Sequence, residues 1–463
     1  MKKKIVSVVC TISIWLGVGA QTLQDNDTER MPESWSTNEE DLFDQTLPVE
    51  DGWWKVFGDG QLDSLISLAM QQNLDVDEAL SRIEQARLGV AIQQGKLLPS
   101  IRVNGGWARQ QSSGNTGGST QWSGQYNLKA QMSWELDLFG NIRQRIKAQE
   151  GLFQVSEEEF RGVMVSLCAQ VATTYFNLRQ YQQEREVLEH NCESQLAVLR
   201  LTEARYSSGL ASRLDVAQAQ QVYYGTLSQL PAMKANISHT MNQLAVLLGQ
   251  YPQDVVIGLE SPMPLPNYIE PVQVGIPAGL LLRRPDIRQA EKQVEAQAAL
   301  LGAAKREWFP QFFLNGSIGY ASTDLNRLIR SGSVEWEIAP SMSWTLFNGG
   351  QRYYTIEQNR TQLDQTIISF NRTVLQAMQE VTNAMSTYAH SIEQIVANRQ
   401  AFNYSQQALS LSLDLYKQGL TTFQSVLDAQ RSLLSSEESL VQARGYSLTT
   451  LVQMYQALGG GWR

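Results

Sequence analysis

Tyr206-Ser207-Ser208-Gly209-Leu210, followed by Asp215-Val216-Ala217-Gln218-Ala219-Gln220, returns about 210 residues later as Tyr416-Lys417-Gln418-Gly419-Leu420, followed by Ser425-Val426-Leu427-Asp428-Ala429-Gln430. Each phrase ends a long Pro-free stretch, Gly140 to Ser208 and Gly349 to Gln418. At 1.5 Å per residue, about 70 residues of helix span on the order of 100 Å, more than a compact domain needs. Gly209 and Gly419 read as turn residues that take positive φ. A return helix follows each turn, over 211–250 and 421–457. Working outward, Leu98-Pro99 and Phe309-Pro310 each open an alternating segment. Trp134-Glu135-Leu136-Asp137-Leu138-Phe139-Gly140 and Trp344-Thr345-Leu346-Phe347-Asn348-Gly349-Gly350 close the pair. Each half therefore reads as hairpin, long helix, sharp turn and return helix, the mark of a tandem duplication.

The alternating segments fall at about 99–111, 124–138, 310–321 and 333–347. From Tyr126 to Leu136 the even positions are Tyr, Leu, Ala, Met, Trp and Leu, while the odd positions from Asn127 to Asp137 are all polar. Val334, Trp336, Ile338, Pro340, Met342, Trp344 and Leu346 repeat the pattern against Glu335, Glu337, Ser341 and Ser343. A soluble sheet with one wet face alternates in the same way. A membrane reading adds the segment length, the tryptophans near segment ends and the polar Gly/Ser-rich connections. Four strands cannot close a membrane barrel, so they are expected to be shared between protomers; three would give 3 × 4 = 12 strands.

Counting by sevens back from Tyr416 gives Leu409, Phe402, Ile395, Tyr388, Val381, Val374 and Ile367, all apolar. From Tyr206 the series is Leu199, Cys192, Arg185, Leu178, Val171 and Met164, with Arg185 the one break. A sustained seven-residue period predicts left-handed supercoiling. Pro231 predicts a kink in the first return helix. Seven of the 13 prolines lie between Tyr251 and Pro285, which reads as a connector over 251–284. Pro285 then starts a helix with Asp286 in its first turn. The expected organisation is a first repeat over 61–250, opening with a helix, and a second over 285–463.

Met1-Lys2-Lys3-Lys4, the apolar stretch to Val18 and the small residues Gly19-Ala20 make a secretory signal over 1–20, with an extended segment over 21–60 following it. Removing three lysines takes the net charge from −9 to −9 − 3 = −12, which argues against nucleic acid as a partner. Cys168 and Cys192 form no disulfide framework and no metal spacing. His190, His239 and His390 are scattered, and there is no Gly-rich phosphate loop, nucleophile elbow or HExxH motif. Nothing here supports an enzyme, a cofactor or a metal.

With the duplication, the hairpins and the long helices, the chain resembles the TolC/OprM-type outer-membrane efflux proteins. Its most specific pieces are Trp53-Trp54-Lys55-Val56-Phe57-Gly58-Asp59, Leu281-Leu282-Arg283-Arg284-Pro285-Asp286-Ile287 and the two Gly-Leu turns. The resemblance implies a mainly α protein with a membrane β-barrel. It implies a homotrimer with a shared 12-stranded barrel in outer-membrane lipid and a helical tunnel through the periplasm. It further implies a periplasmic membrane-fusion adaptor and an inner-membrane pump of the RND class as partners, in the efflux of small toxic compounds. The same architecture serves ducts of type I protein secretion. The subgroup it is most like is often lipidated at a cysteine after the signal, and none follows Ala20 here. By position, the resemblance makes Asp428 a ring of three carboxylates at the periplasmic tip and makes Asp215 and Tyr416 the closing contact. Where the family can place an arginine two residues after the second Gly, this chain has Thr421. Ser212-x-x-Asp215 is also a capping pair, so Asp215 reads as a cap, or as a cap and a gate contact. Arg283, Arg284, Pro285 and Asp286 at the repeat junction read as structural.

Overall fold

The computed structural model describes residues 34–35, 42–45, 52–111, 113, 115, 122–253, 259, 261–266, 268 and 271–460. The expected signal peptide, its cleavage site and most of segment 21–60 lie outside the described residues. A short strand, β1 (Phe43–Asp44), precedes a 3-10 turn at Trp53–Phe57. Then come α1 (Gly60–Gln72), α2 (Leu74–Gly95), β2 (Ser100–Gln111), β3 (Trp122–Leu136), α3 (Asn141–Ser207), α4 (Arg213–Leu227) and α5 (Leu230–Leu247). After the connector, β4 (Val272–Gln273), α6 (Leu280–Arg283), α7 (Pro285–Arg306), β5 (Gln311–Ser322), β6 (Val334–Ser343), α8 (Gln351–Lys417) and α9 (Phe423–Ala457) complete the chain.

Several bounds differ from the sequence expectation, each for a local reason. The helix opening the first repeat is two helices, because Asn73 turns extended and its side chain caps α2 through the Asp75 and Val76 amides. The return helix expected over 211–250 is also two, breaking at Ser228–Gln229 so that Pro231 sits in the first turn of α5, where its missing N–H costs nothing. Strand β6 stops at Ser343, four residues short of 347. The part of 21–60 that is described is not extended throughout: Trp53–Phe57 makes a 3-10 turn.

The four long strands form one antiparallel sheet in the order β2-β3-β5-β6. Its register keeps the two faces chemically separate. Ile101, Met132, Gly316 and Ile338 share one rung, and Val103, Ala130, Ile318 and Trp336 another. On the alternate rungs Arg102, Gln131, Ser317 and Glu337 meet, as do Asn104, Lys129, Gly319 and Glu335. Lys129 pairs with Glu335 across this polar face. The apolar face is bare: Ile101, Val103, Trp336 and Ile338 are each about 70% exposed. Among the described residues, strands β2 and β6 each have an unpaired edge. The two Trp indoles at the helix end of the hairpins make matched bonds, Trp134 Nε1 to Leu97 O at 2.7 Å and Trp344 Nε1 to Trp308 O at 3.0 Å.

Both long helices run 67 residues. Asp137 starts α3 by accepting from the Ile142 and Arg143 amides. The seven-spaced series on α8 is buried or half-buried at every position from Ile367 to Tyr416, so it marks the packed seam. Helix α7 lies against α3 so closely that a Cβ at Gly151 would sit 2.9 Å from that of Ala296. The main core lies at mid-length, where α1, α3, α5, α8 and α9 meet. Trp53, 1% exposed, stacks on Tyr455 with ring centroids 5.1 Å apart. Arg179 is fully buried; its guanidinium bonds Gln182, Ser261 O and Gln61 and lies 4.9 Å from the Tyr175 ring. Among the described residues no helix is long and apolar enough to cross a membrane.

Glu184 is buried on α3, and burial pushes its carboxyl above its ordinary range against hydrogen bonds from Gln180 and Gln442. A raised folded value stabilises the fold below the unfolded pKa, and this contribution is lost as pH rises through the folded value. Glu184→Gln is therefore expected to raise the unfolding temperature near neutral pH, with the difference shrinking in mild acid; calorimetry across that range checks it.

Candidate functional site at the helical tip

The far ends of the helical hairpins form a second, small core of Val198, Leu199, Ala219, Leu409, Tyr416, Phe423, Val426 and Leu427. Both turns have the same backbone. Gly209 (φ 72°) donates to Tyr206 O at 3.0 Å and Leu210 to Arg205 O at 2.8 Å. Gly419 (φ 74°) donates to Tyr416 O at 3.0 Å and Leu420 to Leu415 O at 2.9 Å. This is a Schellman motif at both turns, closed by a left-handed glycine. A Cβ on either glycine would meet nothing within 4 Å, so conformation and not space demands the residue.

Beyond the turns the two hairpins diverge. Ser212 and Asp215 form a full capping box: the Asp215 amide donates to Ser212 Oγ at 3.1 Å, and the Ser212 amide to Asp215 Oδ2 at 2.8 Å. The matching positions are Thr422 and Ser425, whose side chains meet at 3.4 Å and leave α9 without a side-chain cap on its backbone. Thr421 also reaches Ser425, at 3.1 Å. Asp428 therefore has no counterpart in Asp215; it matches Gln218, one turn further in. It is exposed, opposite the buried Phe423–Val426–Leu427 side of α9. Gln424 Nε2 donates to it at 2.9 Å, and the Arg431 guanidinium stands 3.8 Å away. An exposed pair of that kind contributes about 0 to 1 kcal/mol.

Tyr416 is 5% exposed and packs on Phe423, with centroids 5.3 Å apart. Its hydroxyl lies near Thr202 and Arg205 without a hydrogen bond of good geometry, and it does not bond Asp215. Burial holds the hydroxyl above its ordinary range; the charge of Asp215 adds to this, and Arg205 opposes it. Arg205, not singled out from sequence, joins the hairpins here. Its guanidinium sits 4.7 Å from the Tyr416 ring centroid and donates to Lys417 O at 3.1 Å. The only signal was its position just before the repeated Tyr, where the second half has Leu415.

The junction residues stand elsewhere, at mid-length. Arg284 stands at the residue before α7, which Pro285 opens, and its side chain makes no cap bond to that helix's backbone. Its guanidinium bonds Asp286 bidentately at 2.7 and 3.0 Å, Glu380 of α8 at 2.7 Å and Ala457 O of α9 at 2.7 Å. The absent side chain of Gly459 makes room for it, since a Cβ there would lie 3.0 Å from Arg284 Cγ. Arg283 is half-buried beside it. Among the described residues no group of His, Cys, Asp and Glu could hold a metal ion.

Gly419→Ala is expected to cost about 1 to 2 kcal/mol in the tip alone, read as faster amide exchange at the ends of α8 and α9. Asp215→Ala should lose about 1 kcal/mol through its cap, read the same way on α4.

A family model described as outer membrane efflux protein matches the chain twice, over residues 65–250 and 276–460. The solvent efflux pump outer membrane protein SrpC of Pseudomonas putida is 33% identical over 317 residues, 68% of this chain and 67% of that one. The solved outer-membrane channel OprN superposes with a TM-score of 0.87 at 29% identity, over 95% of this chain and 98% of that one. The open state of the Neisseria gonorrhoeae MtrE channel gives 0.77 at 28% identity, over 87% and 89%. This chain belongs to the outer membrane efflux protein family, and it is a protein of the outer membrane whose long helices lie in the periplasm.

Proposed function

We propose that three copies of this chain form the exit duct of a tripartite efflux pump. The duct passively conducts small toxic compounds that an RND-class inner-membrane pump and a periplasmic adaptor deliver. One observation carries this reading: a four-stranded sheet with a bare apolar face, a polar face and two unpaired edges, joined to 67-residue helices. Edges open to lipid leave backbone groups unsatisfied, and sharing them among three protomers removes every edge. The polar face then lines the lumen. The matched element order of the two halves, and the double match of the family model, support an origin by duplication. The relative named for a solvent efflux pump favours small-molecule efflux over protein secretion.

In this assembly the exposed carboxylate of Asp428 turns to the axis at the tip, where three like charges attract cations and narrow the opening. Arg205 on Tyr416 serves as the lock that Thr421 does not supply.

Native mass measurement of detergent-purified protein is expected to give three chains; a stable membrane-inserted monomer would overturn the architecture. Leu128→Arg or Met132→Arg should cost about 2 to 4 kcal/mol near the midplane, whereas Asn127→Arg or Gln131→Arg should be mild, as read by assembly yield. In voltage-clamped bilayers Asp428→Ala should raise the conductance and weaken block by divalent cations added at the tip side. Unchanged block would place the constriction elsewhere.

A further inference from the structure

The connection between β5 and β6 does not stand clear of the sheet. It folds over the polar face at the end away from the helices and roofs a pocket of about 690 Å³. The floor is polar-face residues of β2 and β3: Ala108 opposite Gln125, and Gln110 opposite Ser123. The roof carries Arg327 and Arg330. The loop is a shaped element. Asp324 caps a 3-10 turn through the Asn326 amide at 3.0 Å. Ser333 ties the loop shut, its hydroxyl donating to Arg327 O at 2.8 Å and its amide to Arg330 O at 3.0 Å.

The charges of this roof are weakly compensated. Arg327 is 72% exposed and meets Asp324 only at 3.7 Å. Arg330 has no carboxylate within ion-pairing distance among the described residues. Lys129 and Glu335, on the nearby rungs, neutralise each other. The loop is thus net positive in a chain of net charge −9. Two guanidinium forks over one concave polar pocket are the donor set that phosphate and sulfate groups take.

We propose that this pocket is an anion site at the outer mouth, occupied by small soluble polyanions bearing phosphate or sulfate groups. Its position on the polar face makes it open to the lumen and closed to lipid headgroups. Resting on the trimeric duct proposed above, three such loops set six arginines around the exit. This basic girdle repels cations there and draws anions, opposite in sign to the Asp428 ring at the tip.

Pyrophosphate is the probe. Added to reconstituted trimers from the loop side, it should block the current reversibly, and it should not do so from the tip side. In the double variant Arg327→Gln/Arg330→Gln the block should vanish and the reversal potential in a potassium chloride gradient should move toward cation preference. Isothermal titration of detergent-purified protein should show affinity falling roughly tenfold or more per arginine removed, with Arg327→Lys/Arg330→Lys falling between wild type and the glutamine variant because the charge is kept and the fork is lost. Equal block in wild type and the glutamine variant, or titrations that do not differ, would overturn the site while leaving the duct intact. Arginine-dependent binding in a protein that carries no current would instead uphold the site and sink the duct.

Discussion

A strand edge in hydrocarbon leaves its N–H and C=O groups without partners, at a cost of several kcal/mol per group. In this outer-membrane protein the sheet ends at β2 on one side and β6 on the other, each with an open edge among the described residues. The apolar face is bare too, with Trp336 and Ile338 about 70% exposed. Neither feature is compatible with a protomer standing alone in lipid. The proposed sharing of strands answers both at once, and it puts the Lys129–Glu335 pair and the polar rungs around water.

The helical part solves a different problem, which is to hold two similar halves in one body. The main core does this at mid-length with residues far apart in sequence. Trp53 reaches Tyr455, and the Tyr175 hydroxyl meets Asp59 at 2.5 Å. Arg284 ties the start of α7, the middle of α8 and the end of α9 through four hydrogen bonds. A buried guanidinium is tolerable only with its donors satisfied, and here two carboxylates and a helix-end carbonyl satisfy it. Away from this core the long helices are more exposed, and the second small core at the tip keeps their ends together.

At the tip the two halves keep one backbone and differ in side chains. The Schellman turns are alike because a left-handed glycine is the only low-cost way to close each long helix. The starts of the return helices are unlike: a full capping box at Ser212–Asp215, and a hydroxyl contact at Thr422–Ser425. Arg205 lies over Tyr416 with no equivalent at Leu415. Such asymmetry lets one hairpin be held firmly by its cap while the other carries the exposed Asp428.

Periodicity carried most of the architecture. Alternation by two placed the four strands and their faces, because successive side chains of a pleated strand must point to opposite sides. The seven-residue spacing from Ile367 to Tyr416 marked the packed seam of α8, and the paired Gly-Leu phrases marked the turns. Asn73 and Ser228–Gln229 break helices that the pattern ran through, since a cap and a prolyl ring act locally inside an otherwise continuous apolar rhythm. What only the tertiary structure decided is which distant groups meet. Asp215 turns back to its own helix start and leaves the Tyr416 hydroxyl unbonded, and Arg205 crosses 211 positions to reach Tyr416. The β5–β6 loop folds inward across β3 to β2. Spacing along a chain constrains side chains on the same element; contacts between elements depend on how whole helices and sheets pack, and no local pattern encodes that.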